Sequence, residues 1–249
     1  MVKGQPPLSH DIKGLSIALA ILVGWSGLLA LLLMVDIEAM AIWAIVGAAL
    51  VQTFLYTGLF ITAHDAMHRT LSPNARMIND GIGRLNVFLF ALFSFSKLKQ
   101  SHWDHHRHPA EAGDPDYHDG VHTGALRWYV HFMREYVSVV QIMGMALVFN
   151  LLLYGAGVAV ANLLVFWVAP SLLSTVQLFY FGTYRPHRQP AGGYADKHRA
   201  SSNDYPIWLS FLTCYHFGYH WEHHERPGLA WWQLPAFRRS QEKPLTQVE

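Results

Sequence analysis

GLSIALAILVGWSGLLALLLMV (14–35) runs for 22 residues without a charged side chain. A helix satisfies its own backbone polar groups, and about 20 apolar residues are enough to cross a bilayer. AMAIWAIVGAALVQTFLYTGLFITA (39–63) extends the same property over 25 residues. From Tyr136 to Tyr184 a further 49 residues pass without a charge or a histidine. That length accommodates two crossings, 136–155 and 163–184, joined by a turn near Gly155-Ala156-Gly157, with Pro170 expected to kink the second. The pattern predicts an all-α integral membrane protein with four transmembrane helices in two hairpins and a cytoplasmic helical cap (64–135 and 185–249). All of it is read as a single domain, 1–249. The first run is too long for a signal peptide and lacks a small-residue cleavage site.

The cations set the expected orientation. All 18 Lys and Arg residues lie outside 14–68 and 135–184, so both turns between paired spans are free of positive charge. The positive-inside rule then puts both termini and the middle region in the cytoplasm, as expected for a multi-pass protein of the inner (cytoplasmic) membrane. Leu85–Ser96 is apolar for only 12 residues and reads as an interfacial or half-inserted helix. This keeps every histidine cluster on one side. Pro109–Gly124 (PAEAGDPDYHDGVHTG) reads as a loop. Ala125–Val137 and the aromatic, basic tail from Trp231 suit the headgroup layer.

Composition excludes several functions. The apolar fraction is 52%, the charged fraction 14% and the net charge +1, so no field recruits nucleic acid. One cysteine, Cys214, rules out a disulfide framework, a Cys-based zinc site and a Cys-ligated iron–sulfur cluster. Any electrons must come from a separate protein.

Sixteen histidines carry the chemical signal. His102-Trp103-Asp104-His105-His106 and His220-Trp221-Glu222-His223-His224 repeat H-x-x-H-H, and His64-Asp65-Ala66-Met67-His68 precedes them. On a helix, i, i+3 and i+4 share a face, so each string can aim its imidazoles at one point. Eight converging imidazoles make a metal site, and too many for one ion. His187, after Pro186 at the end of the fourth expected span, is a ninth candidate ligand. His216 is one turn before His220 and is expected to support a ligand. Asp65 flanks the His64/His68 stripe and could orient a ligand. Asp104 and Glu222 sit at i+2, nearly opposite the metal-facing stripe, where they would orient neighbouring histidines or pair with Arg or Lys. Asp114 and Asp116 cap the outer histidines or form an ordinary turn. His108, His118, His122, His131 and His198 are read as surface or substrate-mouth residues, and His10 as solvated. Zinc hydrolysis normally needs fewer histidines and a carboxylate base. Two non-haem Fe ions fit the imidazole set and can use O2 against unactivated C–H bonds of a lipid-soluble substrate.

These strings, in this order between paired apolar spans, resemble the membrane fatty-acid desaturase/hydroxylase superfamily. FITAHDAMH (60–68), LLSTVQLFYFGTYRPHR (172–188), SSNDYPIWLSFLTCYHFGYHWEHHERP (201–227) and Trp231-Trp232-Gln233-Leu234-Pro235 are more specifically similar to the bacterial β-carotene 4-ketolase family. The resemblance implies a di-iron carotenoid oxygenase. Its ligands would be His64, His68, His102, His105, His106, His220, His223 and His224, with His187 added. The implied reaction is O2-dependent oxidation of C4 of a β-ionone ring to a ketone by two hydroxylations, giving echinenone and canthaxanthin, and astaxanthin from zeaxanthin. Electrons would come from an external donor such as ferredoxin, and the carotenoid from the bilayer. The alternatives are a fatty-acid desaturase, an alkane hydroxylase, a carotenoid hydroxylase, or, in another class, a non-catalytic haem- or metal-binding membrane protein. Arg69 departs from the family pattern, which carries a small residue, typically Gly, after the second His of the first motif.

Overall fold

The computed structural model describes residues 7–241, all helix, turn and loop, with no strand among them. Residues 1–6 and 242–249, which include both termini placed in the cytoplasm by the charge pattern, lie outside the described residues. Three helices are long and apolar enough to cross a membrane: α1 (Leu8–Met34), α2 (Ile42–His68) and α7 (Val160–His187). Two bent pairs raise the number to five if each pair counts as one span: α3 (Arg76–Ala91) with α4 (Phe95–Arg107), and α5 (Ala125–Tyr136) with α6 (Val139–Gly155). Three short helices follow: α8 (Ile207–Cys214), α9 (His220–Glu225) and α10 (Leu234–Gln241).

Residues 1–100 and 133–176 form one compact unit, and 101–132 and 177–249 a second. In the first unit, α1 and α2 are apolar all round, as expected where the outer faces meet lipid rather than water. Leu19, Val23 and Leu31 of α1 are exposed, whereas Ala18, Ile21, Trp25 and Leu32 are buried. Polar groups inside such a bundle must find partners. Gln52 Nε2 donates to Trp25 O at 3.3 Å, and Asn162 Nδ2 donates to Leu32 O and Val35 O at 2.7 and 2.8 Å. Asn162 thus ties the start of α7 to the carbonyls that end α1, groups that no helix satisfies internally.

α3 returns along α2 in close contact. A Cβ on Gly83 would lie 2.9 Å from the Ala66 Cβ and 2.4 Å from the Phe95 ring, so only glycine permits the approach. Asn79 Nδ2 donates to Ala66 O at 2.8 Å. The expected helix over 85–96 does not form as one piece. α3 stops at Ala91, Leu92 turns left-handed (φ 56°), and α4 restarts at Phe95 after a 98° bend. A leucine rather than a glycine carries that cap, so the apolar run hides the break. Pro170 lies within a single helix, Val160–His187, that widens into π-helical turns at Leu163–Val168 and Tyr180–Tyr184.

Candidate metal centre

Helices outlast the apolar runs, and this places the first and fourth histidine elements. α2 continues through His64 and His68 and ends where Arg69 adopts φ 60°, ψ 32°. That conformation favours glycine, so the arginine here carries backbone strain. Arg69 N and Thr70 N cap the helix on Ala66 O and Asp65 O. His10 is not solvated as expected: its Nε2 lies 2.6 Å from Thr70 O, and Asp11 is buried and accepts from Asn74 N. The start of α1 therefore clasps the loop that follows His68. Asp65 is buried, with Oδ1 3.7 Å from His64 Nδ1.

In the second unit, α4 and α9 carry the two repeated strings, and α7 ends on His187. His105, His187, His220 and His224 are all buried, and each offers a ring nitrogen within 4.8 Å of the other three. Their Nε2 atoms form a chain: His105 to His224 at 3.2 Å, His224 to His220 at 3.1 Å, His220 to His187 at 3.0 Å. Beside it, His106 Nε2 lies 3.1 Å from His102 Nε2 and 3.0 Å from His223 Nε2.

The chemistry of this set fits a cation. His105 Nδ1 lies 2.9 Å from both oxygens of Asp114, and His187 Nδ1 lies 2.9 Å from Arg199 O. Both partners accept, so both Nδ1 atoms hold the proton and both Nε2 atoms of the neutral rings present lone pairs. His224 and His220 would then each have to donate outward along the chain, leaving their own 3.1 Å contact with two hydrogens face to face. No assignment of protons satisfies all three contacts between neutral rings. Lone pairs directed at one ion do. Burial, with His106 and His220 nearby, holds the His224 pKa well below the histidine norm and keeps its lone pair available. Burial opposes charging of His105 too, but the Asp116 and Asp114 carboxylates outweigh it and raise its pKa. Burial would raise the Asp114 pKa, yet the hydrogen bond to His105 leaves it lowered.

The loop 109–124, featureless by periodicity, is built around Asp114. Its carboxylate accepts from Ala110 N (2.7 Å) and Asp116 N (2.9 Å) as well as facing His105, while the buried Trp128 donates Nε1–H to Asp116 O. The other strap runs from 188 to 206. Arg199, at φ 44°, presents its carbonyl to His187 and its guanidinium to Ala110 O and Glu111. Tyr194 donates to His187 O at 2.7 Å. Ahead of α9, Tyr215 and His216 are both left-handed, at φ 48° and 61°, a conformation that costs roughly 1–2 kcal/mol per residue and turns the chain into α9.

Asp104 and Glu222 take the Arg-pairing alternative of their two readings. Asp104 pairs with Arg107 at 2.8 Å and is half exposed. Glu222 is buried and accepts from Ser202 and, at 2.9 Å, from Arg238, touching no histidine. His216 stacks on Tyr219 and lies 3.2 Å from Ser210 Oγ, and burial pushes its pKa down to about 4. Sequence reasoning missed Arg199, because a backbone carbonyl leaves no signature in residue type. His198 faces Glu225 at 3.0 Å and lines a 400 Å³ cavity with Trp103, His106 and His224.

A model of the fatty acid desaturase family matches residues 40–245. The chain belongs to this family. It is 45% identical to "Beta-carotene ketolase" of Haematococcus lacustris over 196 residues, which cover 76% of this chain and 61% of that protein. It is 40% identical to "Zeaxanthin 4-ketolase" of Chlamydomonas reinhardtii over 247 residues, 94% of this chain and 55% of that one. With "Beta-carotene ketolase" of Paracoccus sp. (strain PC1) it shares 38% identity over 240 residues, 95% and 97% of the two chains. The chain thus spans about half to three fifths of the two algal relatives and nearly all of the Paracoccus protein.

Proposed function

We propose that the protein is a β-carotene 4-ketolase that oxidises C4 of a β-ionone ring to a ketone. One observation carries the reading: a buried, carboxylate-oriented histidine quartet in a chain 38–45% identical to relatives named ketolases. Nine histidines would hold two iron ions: His105, His187, His220 and His224 as one set, and His64, His68, His102, His106 and His223 as the remaining donors. His64 and His68 enter through their family motif. Bound iron would supply the oxidising power, drawn from O2 and externally delivered electrons, that no side chain has. Each of two hydroxylations at C4 consumes one O2, two electrons and two protons and releases one water; the resulting gem-diol loses water to give the ketone.

The residues of the chain do the rest. Asp114 and the Arg199 carbonyl hold the Nδ1 protons of His105 and His187, so both rings keep one tautomer and one orientation. Burial of the quartet excludes water. We further propose four crossings of the inner membrane, the histidines on the cytoplasmic side, one functional domain, and a soluble donor such as ferredoxin. The test is expression in cells that accumulate β-carotene, followed by pigment analysis. Echinenone and canthaxanthin are expected; hydroxylated carotenoids alone, or altered fatty acids with unchanged pigment, would overturn the reading. About two non-haem irons per purified chain are expected, and stoichiometric haem instead would also overturn it.

A further inference from the structure

Within the first unit, α3, α6 and α7 enclose a cavity of about 470 Å³, inside the ~300–1,000 Å³ range of ligand sites. Its wall is mainly apolar and carries four aromatic rings, Phe90, Phe93, Phe149 and Trp167, with Met133 and Met145 as adaptable filling. Phe149 and Trp167 both line it with their rings nearly parallel, 15° apart and 6.4 Å between centroids. The mouth is edged by Ile142 and Leu172, which are 59% and 52% exposed and in a membrane face lipid, so entry is sideways from the bilayer. At its inner end Phe90 packs on Phe60, with ring centroids 5.7 Å apart. Phe60 is one helical turn before His64.

We infer that this cavity binds the unreacted arm of a conjugated, methyl-branched polyene and thereby selects the substrate. The inference rests on the proposed ketolase activity for the identity of its ligand. Three features choose a polyene over a saturated chain. A rigid conjugated chain loses little rotational freedom on binding, whereas an acyl chain must be ordered bond by bond. Flat aromatic faces match its flat π-system. The polar groups that reach the lining are occupied locally: Asn150 donates to Ala146 O, Ser171 to Val168 O, and Gln141 to Ala91 O. The lining therefore asks the ligand for no hydrogen bonds, which suits a hydrocarbon.

The test uses the iron-loaded full chain in phosphatidylcholine nanodiscs, titrated with all-trans β-carotene and read by the circular dichroism induced in the polyene band. Ala146→Phe and Ser171→Phe fill the cavity from opposite helices. Each is expected to weaken binding about tenfold or more, to raise KM more than it lowers kcat, and to leave iron content unchanged. Should a bulky variant fail to fold, Trp167→Leu removes an aromatic face without adding volume and is expected to weaken binding about threefold. Unchanged affinity in every folded variant overturns the inference, as does displacement of β-carotene by added saturated phospholipid at comparable concentration, which would mark an ordinary lipid groove. Tight binding that is lost in the variants, in a protein that never makes ketone, would sink the proposed reaction and leave the binding site standing. Ketone formation with unaltered KM in both bulky variants would do the reverse.

Discussion

The two H-x-x-H-H strings share a spacing and differ in everything that surrounds it. His102, His105 and His106 sit near the end of the 13-residue helix α4, where only His105 is fully buried and the intervening acid, Asp104, pairs with Arg107 at the surface. His220, His223 and His224 occupy a 6-residue helix, and all three are buried. Its acid, Glu222, is buried as well and held by Ser202 and Arg238. A helix of six residues has no stability of its own, so α9 has to be fastened from outside. α4, at 13 residues, is roughly twice as long and less dependent on such fastening, and its orienting carboxylate, Asp114, arrives from a loop. The same pattern therefore aims imidazoles in both places, while the acid inside it ties the helix to its surroundings in one and salts the surface in the other.

That contrast can be broken experimentally. The largest effect is expected from His105→Ala and His223→Ala, one from each string: pigment analysis should show ketone at background for both. Near-normal ketone from either would remove that residue from the metal site. Glu222→Ala should come next, lowering stability by about 2 kcal/mol through loss of the charged hydrogen bond to Arg238, which keeps Asp204 at 3.0 Å, and of the acceptor for Ser202; a thermal midpoint equal to that of the parent would show that α9 is not held this way. Asp114→Asn keeps the shape but weakens the hold on the His105 Nδ1 proton, and iron affinity or turnover should fall by about 10–100-fold. Arg69→Gly should stabilise the protein by about 1 kcal/mol through relief of the left-handed backbone, measured as a raised thermal midpoint. Asp104→Ala sharpens the comparison most by doing least: a surface pair of this kind is worth at most about 1 kcal/mol, and ketone formation should match the parent.

How much of this was legible beforehand depends on the range of each signal. The apolar runs announce α1, α2 and α7, because lipid acts on every residue of a span and leaves a continuous record in composition. They give no sign of the 98° and 87° bends within the pairs α3–α4 and α5–α6, because the break at Leu92 and the turn between Tyr136 and Val139 carry no glycine or proline. His187 was legible from its place beside a span, and the quartet brings it to 3.0 Å from His220. Asp114 was visible only as a loop acid with two readings, and the contact with His105 chooses between them.

Helical periodicity and hydrophobic length are local properties, written within a few turns, and from them alone come the all-helical architecture with its apolar spans and the three-histidine faces. Which groups hold those histidines is different. Asp114, the Arg199 carbonyl and the clasp on Glu222 come from segments 9 to 20 residues away, brought in by loops without periodicity. Such contacts depend on where the folded chain returns, and a proton on a ring nitrogen is fixed by whichever acceptor the fold delivers to it. Tertiary structure alone decides that.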